Sequence, residues 1–467
     1  MKIINKIKED FKNCPDLVLR DIKRNGKTIY ILYLESVASG DQVDGFLIQN
    51  ATELFKRNKK LTELFPATNM KQIKEDEIEQ FLSNGFTIVI DKKEIHAFET
   101  RATNLFRGVA PTDTEPGLYS PKDSFIEAYQ PNVGLIKRRI KTKHLKVLEN
   151  NIGHYSNTKT GLLYIDNIAK QELVDEINEK LKSIDTEAIL ASGDLKQYLI
   201  TENKNVFPTI KLTERPDMAV KALLEGKIVI IMDTSPFVII IPAVLADHIN
   251  PVVDDYSAAV NVNFLKALRI ICFLLTIITP ALFIAILNYN PETIPTGFMK
   301  AIAFQRFNMP FPTIIEVIFL LLAVEILRES DLRFPGVYGT AIGLFSALLL
   351  GEAAMVAGLT SPIMIIIIAI TFLSSLMFTD IALTGGLRIW RYTLLLFAAL
   401  FGLYGLFIGL ITLLVYLCSH KSFGLPYMFP VAPLDFPYLK ETLFKSTPSK
   451  HRLRSKYLTD KNFRKKG

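Results

Sequence analysis

The sequence predicts an N-terminal soluble α/β part of two subdomains with mixed sheets, joined to a C-terminal polytopic α-helical membrane domain. Three observations predict it. Residues 270–418 carry 13 charged side chains in 149 positions, whereas the residues before them alternate charged and apolar types like a soluble protein. Several runs within the charge-poor region approach the ~20 apolar residues that a bilayer crossing needs at ~1.5 Å rise per residue. Residues 1–249 contain hairpin and strand–helix signals but no apolar run of that length.

The expected boundaries are a cytoplasmic α+β subdomain over 1–130, a cytoplasmic α/β subdomain over 131–255, a membrane domain over 256–420 and a basic tail over 421–467. In the first subdomain, Asn25-Gly26 lies between two strand-like runs. Such a pair tolerates the positive φ angles of a tight turn, so Asp16–Ser36 reads as a β-hairpin. A helical stretch is expected around Gln42–Phe55, then strands at Phe86–Asp91 and Ile95–Phe98.

In the second subdomain, Leu162–Ile165 reads as a short strand. Asp166 or Asn167 is expected to cap a helix with apolar positions Ile168, Leu173, Val174, Ile177 and Leu181, close to a 3.6 period. Ile210–Leu212 is strand-like, and Pro216 and Gly226 bracket a helix. Lys227–Asp233 and Phe237–Ile241 read as strands. The run Phe237–Ala246 is too short to span a bilayer.

Spans are expected at about 264–288, 337–359, 361–379 and 391–418. Pro280 is expected to kink the first, and Gly402, Gly405 and Gly409 let another helix approach the last. Residues 313–327 are apolar but carry Glu316 and Glu325, so they read either as a fifth span or as a re-entrant or interfacial segment. Four spans put the tail on the cytoplasmic side with the soluble part; five put it opposite. Lys440–Gly467 holds 10 Lys or Arg against Glu441 and Asp460, which favours four spans and a solvated cytoplasmic tail.

Several classes of function find no support. Met1–Phe11 has no apolar core of signal-peptide length, so the soluble half is expected to stay where it is made. Cys14, Cys272 and Cys418 form no CxxC pair, and neither a disulfide nor a structural zinc site is expected. There is no HExxH, Walker loop or GxGxxG, and no nucleophile–base constellation, so neither an enzyme nor a cofactor is expected. The basic run containing Lys137, Arg138 and Arg139 reads as a solvated helix face, with anionic lipid or another subunit as the competing partner. Nothing else supports nucleic-acid binding.

Longer strings are more specific. They are RGVAPTDTEP at 107–116, SPKDSFIEAYQPNVGLIKRRI at 120–140, TERPD at 213–217, EILRES at 325–330, Arg333 with Pro335, and GEAAMVAGLTSPIM at 351–364. Their order and spacing resemble the A subunit of spore germinant receptors, the GerA-type family, from about residue 80 to 380. Ser120 stands where the family usually has Gly, and Asp254-Asp255-Tyr256-Ser257 replaces a more typical Glu-Asp-Tyr-Tyr. The resemblance implies a multi-pass protein of the spore inner membrane that assembles with a transporter-like B subunit and a lipoprotein C subunit. It implies a homo-oligomeric, channel-forming component of a complex that responds to small nutrients. A secondary transporter and a non-conducting signalling receptor are the alternatives that the residues leave open.

Each singled-out residue has a plain structural reading beside the functional one. Glu352 is a pore or gating carboxylate, or a structural residue near a helix end. If the chain forms a channel, the helix over 337–359 is its expected lining, with Gly343 and Ser346 on a small-residue side and Leu349 in an apolar gate; tight helix packing is the alternative. Glu325 and Arg328, three apart, form a structural ion pair or take part in gating. Glu316 lies nine residues before Glu325, half a turn around. Arg107, Asp113, Glu115, Arg138, Glu214, Arg215 and Asp217 are expected in subunit contact or turn structure rather than in nutrient binding.

Overall fold

The computed structural model describes residues 2–24, 27–44, 70–91, 94–100, 115, 119–200, 205–307, 309–333, 351–445 and 454–460. The first subdomain contains β1 (Leu17–Arg24), β2 (Lys27–Leu34), β3 (Met70–Gln72), β4 (Phe86–Asp91) and β5 (Glu94–Glu99), in the order β1-β2-β4-β5-β3. β1 and β2 pair from Leu17↔Leu34 to Arg24↔Lys27, which leaves Asn25 and Gly26, outside the described residues, as the connection. Period-2 alternation sorts the side chains. Ile29, Ile31 and Tyr33 of β2 pack with Val89 and Phe98 on one face. Leu32 and Leu34 pack on the other with Ile7 of α1 (Lys2–Asp10) and with Ile78 and Leu82 of α2 (Ile78–Ser83). Of the helix expected around 42–55, Gly40–Gln42 is a short helix and 45–55 lies outside the described residues.

The second subdomain has β6 (Leu145–Ile152), β7 (Thr158–Ile165), β8 (Lys211–Thr213), β9 (Ile228–Met232) and β10 (Val238–Ile241), ordered β6-β7-β9-β10-β8. Its helices are α3 (Tyr129–Arg139), α4 (Gln171–Lys182), α5 (Ser192–Leu199) and α6 (Pro216–Glu225). Val229, Ile231, Val238 and Ile240 pack under α3 and α6, and Ile228, Ile230, Ile239 and Ile241 under α4 and α5. With both faces covered, these strands are continuous apolar runs, and Phe237–Ile241 is a buried strand. The pairings within both sheets are antiparallel throughout.

Two local expectations shift. β7 is eight residues long and pairs along its whole length with β6, whose polar Glu149-Asn150-Asn151 masks the strand pattern. α4 starts at Gln171 after an N-cap at Lys170, so Asp166 and Asn167 lie in the preceding turn rather than at the cap. α6 does begin at Pro216, and Gly226 ends it with φ +94°. A buried ion pair between Lys137 of α3 and Asp16 joins the two subdomains.

The remaining helices are α7 (Leu245–Ile249), α8 (Ala259–Tyr289), α9 (Thr296–Arg306), α10 (Thr313–Arg333), α11 (Pro362–Ser375), α12 (Ile381–Ser419) and α13 (Phe436–Leu443). Among the described residues, α8 and α12 are long and apolar enough to cross a membrane. α12 is not one rod. Gly402, at φ +58° and ψ −138°, interrupts it. The Trp390 and Tyr416 rings lie 5.1 Å apart, whereas a straight helix would separate them by roughly 39 Å. The chain therefore turns back, and the arms 381–401 and 403–419 run antiparallel instead of forming one helix over 391–418.

Close approach explains the glycines. A Cβ on Gly405 would lie 2.0 Å from the Phe397 carbonyl oxygen, and one on Gly409 would lie 2.5 Å from a Leu394 methyl. Their close neighbour is the other arm of the same hairpin. At the bend, Tyr289 packs on Gly402 and its hydroxyl donates to the Ala399 carbonyl at 2.6 Å. That bond occupies a carbonyl that the break in the helix releases.

Helix directions follow from contacts. α8 leaves the soluble part at Ala259, and Asn288 at its far end accepts a 3.2 Å hydrogen bond from Thr313, so α10 runs back. A helical segment over 351–356 ends at Gly358 (φ +65°), where the Leu359 N–H bonds the Ala354 carbonyl at 2.9 Å. α11 then returns to Asp380, beside the soluble part. After the hairpin, β11 (Lys421–Ser422) and β12 (Leu425–Pro426) begin the tail. Leu425, Phe429 and Leu458 join the core of the second subdomain. The Lys170 N–H donates to the Leu458 carbonyl at 3.1 Å, and Arg454 Nε donates to the Leu224 carbonyl at 2.7 Å. Residues 454–460 are thus docked rather than solvated, and Ser455 is buried.

Gly402→Val is expected to lower the thermal unfolding midpoint of the purified full chain sharply. The new side chain meets the Tyr289 ring, 2.7 Å from where its Cβ would stand, at a φ that β-branched residues avoid. Tyr289→Phe removes one hydrogen bond and should cost only about 1 kcal/mol. A Gly402→Val protein that melts like the parent would refute the reversal.

Candidate functional site

The Thr213–Asp217 string builds one compact cluster at the start of α6. Arg215 is 1% exposed and grips Asp217 with Nε at 3.0 Å and Nη2 at 2.6 Å. Its Nη1 donates to the Glu115 carbonyl at 2.9 Å. Thr213 Oγ1 donates to Glu115 Oε2 at 2.6 Å, and the Glu115 N–H donates to Glu214 Oε1 at 3.3 Å. Burial pushes the Glu115 carboxyl up from its ordinary value. Tyr256 donates its hydroxyl to Asp217 at 2.7 Å, so the cluster also fixes the segment that leads into α8. Glu115, Glu214, Arg215 and Asp217 are brought together. Arg138 is half-buried on α3, and Arg107 and Asp113 lie outside the described residues.

A second group of contacts binds the soluble part to the helices. Arg269, ten residues into α8, holds Asp254 through two bonds of 2.6 and 2.9 Å, with both side chains buried. Lys445, just after α13, donates at 2.7 Å to each of the Asp254, Asp255 and Ser257 carbonyls. Lys266 of α8 reaches the Thr442 carbonyl at 2.6 Å. His248 of α7 pairs with Asp380, whose other oxygen caps the outgoing arm of α12 through the Ala382 and Leu383 N–H groups at 2.9 and 3.2 Å. Phe207 fills the space left by Gly386 and stacks near Tyr416 and Tyr427.

The helices carry two buried carboxylates. Glu316 of α10 is 2% exposed and accepts from Thr360 Oγ1 (2.9 Å), Ser361 N–H (2.6 Å) and Ser361 Oγ (3.0 Å). It therefore caps α11 from a neighbouring helix, where the dipole favours a negative charge. Arg306 of α9 lies 3.5 Å from its other oxygen. Glu325 pairs across to Arg391 (2.6 Å) and Arg388 (2.9 Å) on α12, so its ion partners are on another helix rather than at Arg328 one turn along. Glu352 is exposed near the end of its helix, while Gly343, Ser346 and Leu349 lie outside the described residues.

The pattern reading missed Asp254–Arg269, His248–Asp380, Arg388, Arg391 and Tyr289. Their common signal is a lone charge or aromatic group at the edge of an apolar run, which one sequence does not pair with anything. Among the described residues no group of three His, Cys, Asp or Glu is placed to hold a metal ion.

This architecture is that of a membrane protein whose soluble part is bolted through buried charges to an apolar helical assembly. The chain matches the family described as Bacillus/Clostridium GerA spore germination protein over residues 5–457, and it belongs to that family. It is 37% identical over 339 residues to spore germination protein KA of Bacillus subtilis, covering 73% of this chain and 62% of that one. The chain thus spans about three fifths of that relative's length. It is 32% identical to spore germination protein B1 of Bacillus subtilis (79% of this chain, 77% of that one) and 28% identical to spore germination protein GerLA of Bacillus cereus (99% and 96%). A crystal structure of the N-terminal domain of the A subunit of the Bacillus megaterium spore germinant receptor GerK3 covers 52% of this chain and 94% of that one, with 26% identity and a TM-score of 0.41.

Arg269→Gln strands a buried Asp254 carboxylate and should destabilise by about 3–5 kcal/mol. The double change with Asp254→Asn should recover part of that loss in a double-mutant cycle read by thermal unfolding. Acid should act as well. Burial opposes ionisation of Asp217, Asp247 and Asp380, but bonds and charge from Arg215, Lys227 and His248 respectively outweigh it, so all three sit below the ordinary 3.8. A folded pKa below the unfolded one adds stability above the unfolded value, and that stability is lost as pH falls through the folded value. The unfolding midpoint should therefore drop below about pH 4, and Asp217→Asn should flatten that acid limb.

Proposed function

We propose that this chain is the A-type membrane subunit of a nutrient germinant receptor, an oligomer whose opening passes ions and triggers spore germination. Membership of the GerA spore germination family supports the receptor role. The observation that carries the mechanism is the buried coupling between the soluble part and the helices through Asp254–Arg269, His248–Asp380 and Lys445. A shift of the soluble part reaches α8 and α12 without slack, as a gate driven by partner subunits requires. A transporter-like B subunit and a lipoprotein C subunit are the proposed partners, and small nutrients are sensed through the complex.

The soluble part and the basic tail are proposed to face the cytoplasm of the spore core from its inner membrane. Docking of residues 454–460 on the second subdomain supports a common side, and the basic block supports the cytoplasmic one. With the reversal at Gly402, an even number of crossings satisfies both. The helix that ends at Gly358 is the proposed pore lining, with Glu352 as its carboxylate and Leu349, Ser346 and Gly343 along it. Glu316 and Glu325 hold the surrounding helices in place.

Liposomes carrying the purified receptor complex should release trapped cations when the cognate nutrient is added. Glu352→Gln should change conductance or cation preference while assembly persists, and Leu349→Ala should leak without nutrient. Complexes that bind nutrient yet hold their ions, for parent and variants alike, would rule out the channel reading.

A further inference from the structure

The ion group around Glu325 carries more positive charge than it uses. Arg388 and Arg391 flank Glu325, and Arg328 lies within electrostatic reach of all three. Arg328 makes no hydrogen bond or ion pair among the described residues. Among the described residues, the three arginines share one carboxylate, Glu325. An unpaired guanidinium among apolar helices is costly, so such groups normally find a counter-charge.

Unfilled bonding capacity sits in the same place. Arg391 is 4% exposed, yet its Nε has no hydrogen-bond partner, and neither has the buried Tyr392 hydroxyl. Arg388 Nε stands 2.9 Å from Glu325 Oε2 but is not aligned to bond it. Against the open Arg388 and Arg391 Nε groups stands one unbonded acceptor, Glu325 Oε2, so open donors outnumber open acceptors, as at a site for an acceptor-rich anion. Arginine forks suit a phosphate group above other anions.

Position selects the source. Arg388 and Arg391 lie eight and eleven residues beyond Asp380, hence roughly 12–17 Å along the helix from the end that meets the soluble part. Long arginine side chains reach headgroup level from that depth by snorkelling. The surface beside the cluster is apolar and open: Leu322, Ile326, Ile389 and Leu396 are each more than half exposed. A headgroup with its acyl chains against those four residues fits; a free ion would leave them bare.

We propose that Arg328 and Arg388, backed by the buried Arg391, form a binding site for the phosphate of an anionic lipid from the leaflet on the soluble-domain side. The lipid completes the contact between α10 and the outgoing arm of α12, in the manner of basic pockets between membrane helices. The site does not depend on whether the chain conducts ions.

The full chain in neutral detergent is titrated with phosphatidylglycerol, phosphatidylcholine, diacylglycerol or inorganic phosphate. Retained lipid is read by mass spectrometry and stability by thermal unfolding. Phosphatidylglycerol should be retained saturably and raise the unfolding midpoint, with phosphatidylcholine weaker and diacylglycerol inert. The double change Arg328→Gln with Arg388→Gln should weaken retention about tenfold or more, while Lys300→Gln, on α9 at the opposite end, should leave it unchanged. Should the double variant fold poorly, Arg328→Gln alone decides, since that side chain makes no hydrogen bond or ion pair among the described residues. Equal retention of phosphatidylglycerol and phosphatidylcholine, or unchanged retention in the variants, would overturn the site. Stabilisation by inorganic phosphate that the lipid does not displace would overturn the lipid and leave a soluble anion as the ligand.

Discussion

A backbone that reverses inside apolar surroundings must find partners for the polar groups it frees, because lipid offers none. The reversal at Gly402 meets that demand with two residues. Glycine takes a backbone conformation that side chains resist, and the Tyr289 hydroxyl occupies the Ala399 carbonyl. Everything after residue 402 depends on this. Because the returning arm ends beside the soluble part, Tyr427 can be buried at the junction and the tail can reach the second subdomain.

The junction combines buried charge pairs with apolar packing of Phe207, Leu245 and Tyr427 against the helices. Asp254, Arg269, His248 and Asp380 are each buried or nearly so, and each has its partner within bonding distance. Replacing such pairs with apolar residues can be neutral, but removing one member is not. That asymmetry suits a connection that must hold one geometry until it is actively changed. Glu316 works similarly among the helices, since one carboxylate caps α11 from α10 and fixes how the two meet.

The soluble part was largely legible in the sequence because its elements carry local signals. Alternation across Leu17–Leu34, the Pro216 and Gly226 brackets and the Phe237–Ile241 run each reflect one element at a time. β6 escaped because Glu149-Asn150-Asn151 breaks the apolar pattern on a strand whose outer face meets water. The hairpin escaped for a different reason: hydropathy records depth but not direction. The expected span began only at about 391, whereas Glu325, 63 residues before Arg388, pairs with Arg388 and Arg391 and lets the first arm start at Ile381. The candidate residues of the Thr213–Asp217 string were found as a motif, but their partner Tyr256 and the role of Asp254 depend on contacts between distant segments.

The docked tail has a consequence for the order of assembly. Leu458 fills the core of a subdomain whose other members are translated before residue 245, apart from Leu425 and Phe429 of the same tail. At about 5–20 residues per second, some 10–40 s separate those strands from the residue that seals them. All the membrane helices are made within that interval. Until Leu425, Phe429 and Leu458 are made, their places in that core stay unfilled.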